Sequence, residues 1–319
     1  MRRYVIKRIA QAVGVLWAAY TVSFLVLDYL PGDPVSAMAG AGADSGQVDP
    51  AQLAALRHQY GFDKPMLVQY AEALGRAVRG DFGDSVSTGR PVTSSLADAL
   101  PQTLQLTGAA LLLAVLLGGA VALLATYTTR RWLRQLLLSL PPLGVSVPTF
   151  WVGLLLVEVF SFRARLFPAF GNDGPRGLVL PAVTLAIPTG ALVAQVLAKS
   201  LLTALDQAYV ETARAKGAGR ARIHLRHALR NASLPALTVV GLLAGQLIAG
   251  SVVVETVFSR DGLGRVTAAA VAAQDIPLVQ GVVVFGALIF VSANLVVDLV
   301  YPVLDPRIVV HSRRKVSPA

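Results

Sequence analysis

The 319-residue sequence contains no cysteine. Disulfides, iron–sulfur clusters and cysteine-ligated zinc are excluded, and the redox compartment is left open. Charge is scarce: 14% of residues are Asp, Glu, Lys or Arg, against roughly 25% in a soluble domain. Acidic residues are the rarer sign, 18 against 28 basic, for a net charge of +10. No G-x-x-x-x-G-K-S/T phosphate loop occurs. "GAGADSG" at 40–46 follows no strand and does not read as a nucleotide site. The serines of "GRPVTSSLAD" have no activating neighbour, so no nucleophile–base–orienter set exists. His224 and His227 stand three apart without a third ligand and read as part of a solvated basic face; His58 and His311 have no evident partner. The sequence offers no catalytic residue and no metal site.

What is present is apolar length: 55% of residues are hydrophobic. Runs of about 20 apolar residues suffice to cross a bilayer as helices. Six are expected, near Ile9–Leu30, Leu104–Tyr127, Leu136–Phe162, Leu178–Ala198, Leu234–Phe258 and Val279–Val303. The first is too long for a signal-peptide core of roughly 7–15 residues and reads as an uncleaved anchor. Pro141, Pro142 and Pro148 interrupt the third span and Pro188 the fourth, while Gly241, Gly245 and Gly250 punctuate the fifth. With an inside N-terminus, eighteen of the 28 Lys and Arg fall in inside segments. The excess of Lys and Arg in cytoplasmic loops makes both termini cytoplasmic and the 31–103 loop external. Membrane topology, not nucleic-acid binding, accounts for the basic charge. Asp28, Glu158, Glu255 and Asp298 all fall near span ends, which disfavours an ion-coupled carrier built around a mid-membrane carboxylate. The sequence describes a pathway without an engine.

The expected domains are an anchor at 1–30, an outer loop at 31–103, a five-span core at 104–304 and a tail at 305–319. In the outer loop, Asp49 and Pro50 start a helix that Gly61 stops. Pro65 starts another, with Leu67, Tyr70, Leu74 and Val78 at helical spacing before Gly80. "GDFGDSVSTG" follows as a turn-rich excursion. The cytoplasmic elbow at 201–233 holds "ETARAKGAGRARIHLRHALRNASLP" at 211–235. Residues 201–216 favour helix, and Gly217 and Gly219 break it. A second short helix from about Arg220 to Ala232 places Arg222, Arg226 and Arg230 on one stripe, and Pro235 suits the first turn of the next span. Gln195, Gln246 and Ser251 are candidate polar lining of the pathway, helix packing being the equal alternative.

"ETARAKG" followed by "LP" resembles the E-A-A-x-x-x-G signature of ABC-importer permeases. Glu211, Ala213, Gly217, Leu234 and Pro235 match it, Thr212 replaces the middle alanine, and Ala232 stands where the family often has Ile. "VRGDFGDSVSTGRPV" (78–92), "ETVFSRDGLG" (255–264) and "NLVVDLVYPVLDPR" (294–307) are similar to stretches of the B-type permeases of peptide and nickel importers. Arg260 and Asp261 replace the Trp-Pro of that family's outer turn. The resemblance implies an all-helical, non-catalytic subunit of the type I importer permease fold in a bacterial inner membrane. It implies four kinds of partner: a second homologous permease subunit forming a heterodimer, two ATPase subunits, an extracytoplasmic substrate-binding protein, and a dipeptide or oligopeptide substrate. Nickel chelates, glutathione and haem are the alternative substrates. The chain itself would bind no cofactor, since ATP and Mg belong to the ATPases. Tyr209, Glu211, Thr212, Ala213, Ala215, Gly217, Leu234 and Pro235 would then meet the ATPase. Asp81, Phe82, Gly83, Asp84 and Ser85, in a scoop-like outer loop, would meet the binding protein.

Overall fold

The computed structural model describes residues 2–29, 63–172 and 174–304. The expected helix at 49–60, the glycine stretch at 40–46, His58, His311 and the tail at 305–319 lie outside the described residues, as do the side chains of Asp28 and Asp298. Among the described residues ten helices form, and the only strand-like pairing is a bridge between Asp84 and Pro91. By packing, the chain divides into two compact units, residues 1–103 with 261–291 and residues 104–260 with 292–319.

In the first unit, α1 (Arg2–Tyr29) and α2 (Met66–Val78) meet through aromatic side chains. The Tyr70 ring lies edge-on to Phe24 at 5.3 Å, and its hydroxyl is 2.8 Å from Thr21 Oγ1. α2 starts at Pro65, as expected, and ends in a Schellman turn. There Gly80 (φ +81°) donates to Ala77 O and Asp81 N donates to Arg76 O. The apolar stripe expected on α2 is not buried: Leu67 is 81% and Val78 80% exposed. The core of this unit lies elsewhere. It joins Val92, Leu96 and Ala99 at the start of α3 (Val92–Tyr127) to Leu263 and Ala270 of α9 (Leu263–Ala272) and to Leu278 of α10 (Ile276–Leu304).

The second unit is organised by α6 (Gly174–Leu205), against which α4 (Arg131–Ser146), α5 (Thr149–Arg163) and α8 (Arg220–Val257) pack. In α6, 61% of the apolar stretch is buried, against 28% in α3 and α8, so α6 is the central rod. One apolar cluster joins Leu106 and Ala110 of α3, Leu180 and Leu185 of α6, and Leu247 and Val254 of α8. α3 crosses α6 with backbones nearly touching. A Cβ on Gly118 would stand 2.3 Å from Gly190 O, and one on Gly190 3.1 Å from Ala114 O. Small residues permit such an approach.

Among the described residues, four helices suffice by length and composition to cross a membrane, α1, α3, α6 and α8, and five if a bent pair counts as one. That pair corrects the expected third span. Leu136–Phe162 is not one rod but α4 and α5, bent by 102°. Pro148 causes the break: it opens α5, and its ring drives Val147 out of the helical region to φ −86°, ψ 129°. The last turns of α5, Val157–Arg163, are wider than α-helical. That brings Glu158 and Arg163, five apart, into an ion pair at 2.9 Å. The sixth expected span falls within α10, a helix of 29 residues.

Candidate functional site

The elbow is built from the C-terminal end of α6. After Leu205 the chain turns into α7 (Ala208–Ala215), an eight-residue helix anchored by the fully buried Val210. α7 ends in a second Schellman turn: Gly217 N donates to Arg214 O and Ala218 N to Ala213 O, with Gly217 at φ +82°. The left-handed conformation expected there is present. Gly219 differs, because it is an extended residue (φ −67°, ψ 160°) that starts α8.

α8 corrects the expected break before the fifth span. Arg220–Val257 runs as one helix of 38 residues, so no separate short helix follows Gly219 and Pro235 lies within the rod. Its turns over Ile223–Ala228 are wider, closing on the fifth residue. Ala228, Ala232 and Ala236, at every fourth position, pack against Ala198, Leu201 and Ala204 of α6. This alanine seam holds the root of the elbow while α7 stays in the open. Tyr209, Glu211, Thr212, Ala215 and Gly217 are exposed and Ala213 is half-buried. Thr212 Oγ1 donates back to Ala208 O at 3.2 Å. Glu211 has no hydrogen bond or ion pair among the described residues, so it does not cap the elbow. Leu234 and Pro235 are exposed on α8, and Arg222, Arg226 and Arg230 stay exposed. His224 is not on a solvated face: it is 5% exposed, with Nε2 3.1 Å from Thr126 O.

Beside the elbow's root lies a pocket of about 360 Å³ between α3, α4 and α6. Gln195, Lys199 and Thr203 of α6, with Asp206 in the turn just after it, line it opposite Val121 and Leu138. Of the other candidate lining residues, Gln246 is exposed on α8 away from this pocket. Ser251 is 1% exposed and donates to Ile248 O at 2.9 Å within its own helix, which is the packing alternative.

The turn-rich excursion at 81–91 is locked rather than free. Gly83 and Gly89 take positive φ, Ser85 N donates to Arg90 O, and Val92 N donates to Gly83 O. Asp275, fully buried ahead of α10, gathers this loop. Its Oδ2 accepts from Ser85 Oγ at 2.5 Å, Ser87 Oγ at 2.7 Å and Ser87 N at 3.1 Å, while Oδ1 accepts from Leu278 N at 3.2 Å. Burial alone would raise the Asp275 pKa. The hydrogen bonds from Ser85, Ser87 and the Val86 backbone outweigh it and hold the carboxyl below its ordinary value. The expected exposure of residues 81–85 is therefore corrected in part. Asp81 and Asp84 are exposed, Phe82 packs on the Val92–Leu96 core, Gly83 is half-buried, and Ser85 is fully buried facing Asp275. No residue pattern had pointed to Asp275, which lies 190 positions from Ser85.

Arg260, which departs from the resembled outer turn, has a structural role that the sequence did not show. α8 ends in a Schellman turn with Ser259 at φ +49°, and Arg260 N donates to Glu255 O. The Arg260 side chain is 2% exposed, and its Nη1 donates to Gly177 O at 3.1 Å and Gly171 O at 3.3 Å. The arginine thus fastens the end of α8 to the start of α6. Among the described residues no cluster of three or more His, Cys, Asp or Glu is placed to hold a metal.

Residues 99–310 match the binding-protein-dependent transport system inner membrane component family, and residues 1–107 match the N-terminal component of the same systems. The chain belongs to this family. It is a non-catalytic, multi-pass permease subunit of an ABC transporter, and ATP hydrolysis belongs to separate subunits. No cofactor is expected of such a subunit. It is 36% identical over 308 residues to the glutathione transport system permease protein GsiC of Escherichia coli (strain K12), covering 97% of this chain and 99% of the relative. It is 36% identical over 316 residues to a putative peptide transport system permease protein of Brucella suis biovar 1 (strain 1330), with the same coverage. In fold it is similar to an inward-facing MetNI methionine ABC transporter (TM-score 0.57, 17% identity, 66% of this chain and 96% of that one). It is also similar to an amino acid ABC transporter solved with histidines (TM-score 0.51, 19% identity, 66% and 94%).

Proposed function

We propose that this chain forms half of the translocation pathway of an importer for dipeptides and short oligopeptides, and that α7 receives the closure of an ATPase subunit. The carrying observation is α7 itself: an exposed helix with an unpaired Glu211, turned by Gly217 and rooted on α6 through the alanine seam. An exposed carboxylate on such a helix suits a basic group on the ATPase, an interaction that strengthens once water is excluded. The peptide reading is supported by the relatives, whose named solutes are glutathione and peptides. The pocket beside the elbow supports it too. Lys199, on α6, and Asp206, just past its end, line the pocket with opposite charges, which suit the two charged ends of a short peptide. The proposed partners are a second, related permease subunit, two ATPase subunits and an extracytoplasmic binding protein. Both termini are cytoplasmic in this reading, and Asp81 and Asp84 are the outer residues free to meet the binding protein.

The test is the ligand. Mass spectrometry of the solute retained by the cognate binding protein should return peptides, and the reconstituted complex should import them with ATP. Recovery of a nickel chelate or haem in their place overturns the peptide assignment and leaves the permease assignment intact.

A further inference from the structure

The last carbonyls of a helix have no partner within it and carry partial negative charge. At the inner end of α3, side chains from the elbow meet two of them. His224 Nε2 is 3.1 Å from Thr126 O, and because a carbonyl only accepts, Nε2 carries the hydrogen of that bond. Arg220 Nη2 donates to Tyr127 O. The Tyr127 ring is held between both donors. The His224 ring meets it edge-on at 5.2 Å and 85°, and the Arg220 guanidinium carbon lies 4.8 Å from its centroid. Arg220 is the first residue of α8, three positions beyond the Gly217 turn. His224 sits in the widened turn Ile223–Ala228, a departure from α-helical winding that recurs at functional places in helices.

The geometry points to Arg220 and His224 as positioning residues that cap α3 and tie it to the coupling elbow, so that displacement of α7 is delivered to the inner end of α3 as well as along α6 and α8. This rests on the reading of α7 as the ATPase contact. A flexible join would lose the movement between Gly217 and the membrane. A charge-assisted bond, a second bond from a buried ring and two contacts on one tyrosine leave the start of α8 little freedom to slide on α3. α3 is also the helix whose backbone meets α6 at Gly118 and Gly190, so a shift of its inner end has a rigid neighbour to act against.

The test uses the assembled transporter with its ATPase subunits and the absence of cysteine from this chain. Nitroxide labels at Thr129→Cys and Ala218→Cys report the separation of the α3 end from the elbow. With the tie intact, the distance distribution stays narrow and keeps its centre between the nucleotide-free and vanadate-trapped states. In Arg220→Ala/His224→Ala its width at least doubles while ATP hydrolysis continues. His224→Gln, which restores a donor near Nε2, returns it to the parent width. Arg220→Lys, which keeps the charge but not the flat face on Tyr127, falls between. An unchanged width in the double variant, or a parent distance that shifts on trapping, overturns the inference. If the double variant does not assemble, the His224→Gln and Arg220→Lys distributions decide the question alone: equal widths in both overturn it. A label at Tyr209→Cys separates the underlying reading, since its spectrum must immobilise when the ATPase subunits join. A mobile Tyr209→Cys label overturns the docking assignment whatever the α3 distance does.

Discussion

Gly217 and Gly219 stand two positions apart and differ in what they require. A Cβ on either meets nothing within 4 Å, so space is no obstacle at either place. Only Gly217, at φ +82°, occupies the region that costs an L-residue about 1–2 kcal/mol. Gly217→Val should leave the protein in the membrane and the ATPase active, but abolish uptake of the solute that the binding protein retains. Gly219→Ala should transport as the parent does. Paired uptake and phosphate-release assays on reconstituted vesicles check both. Asp275 carries a different kind of requirement. Its carboxyl is held below the ordinary value of about 3.9, so its stabilisation is complete above that pH. It is lost as the pH falls through the lowered folded value and the group protonates. Thermal unfolding in detergent should therefore show a steeper loss of Tm as the pH falls from about 4 downward in the parent than in Asp275→Asn. The variant should be the less stable protein at pH 7.

At the scale of helices, the crossing of α3 and α6 is the least tolerant place in the second unit. A valine at Gly118 would drive its Cβ to 2.3 Å from a backbone oxygen, which no side-chain rotation relieves. Gly118→Val should lower stability by at least the roughly 1–3 kcal/mol of an overpacked core and reduce recovery of the folded chain. Gly119→Val, one residue on with nothing within 4 Å, should be neutral, as read by thermal denaturation on a sizing column. This crossing was not legible in the sequence, where the glycines of the fifth span drew attention instead. The helices themselves were legible, because a bilayer-length apolar run leaves few alternatives. The Gly217 turn was legible because a glycine after a helical stretch has one common use. Direction and partnership were not. Hydrophobicity continues through Pro148 although the chain turns by 102°, and it continues through Pro235 where the helix does not break. Ser85 looked like a loop residue free for a partner, yet its partner is Asp275, far along the chain. Such pairings are set by tertiary packing, which local pattern does not encode.

For the whole molecule the open quantity is orientation, which rests on eighteen of the 28 Lys and Arg falling in the inside segments. The rule behind that count weighs short loops most, and the elbow alone contributes six of the eighteen. The structure sharpens the choice of reporter positions. Ser85 is fully buried against Asp275, so a cysteine there would stay silent on either side of the membrane. Asp84, its exposed neighbour, reports the outer loop. Thr129, exposed between α3 and α4, reports the inner side without touching α7. In intact cells with a permeabilised outer envelope, a membrane-impermeant maleimide should label Asp84→Cys and leave Thr129→Cys untouched until the inner membrane is opened. Labelling of Thr129→Cys alone in sealed cells would invert the molecule. The exposed face of α7 would then lie where no ATPase could reach it, and the coupling role proposed for Glu211 and Gly217 would fall with the orientation.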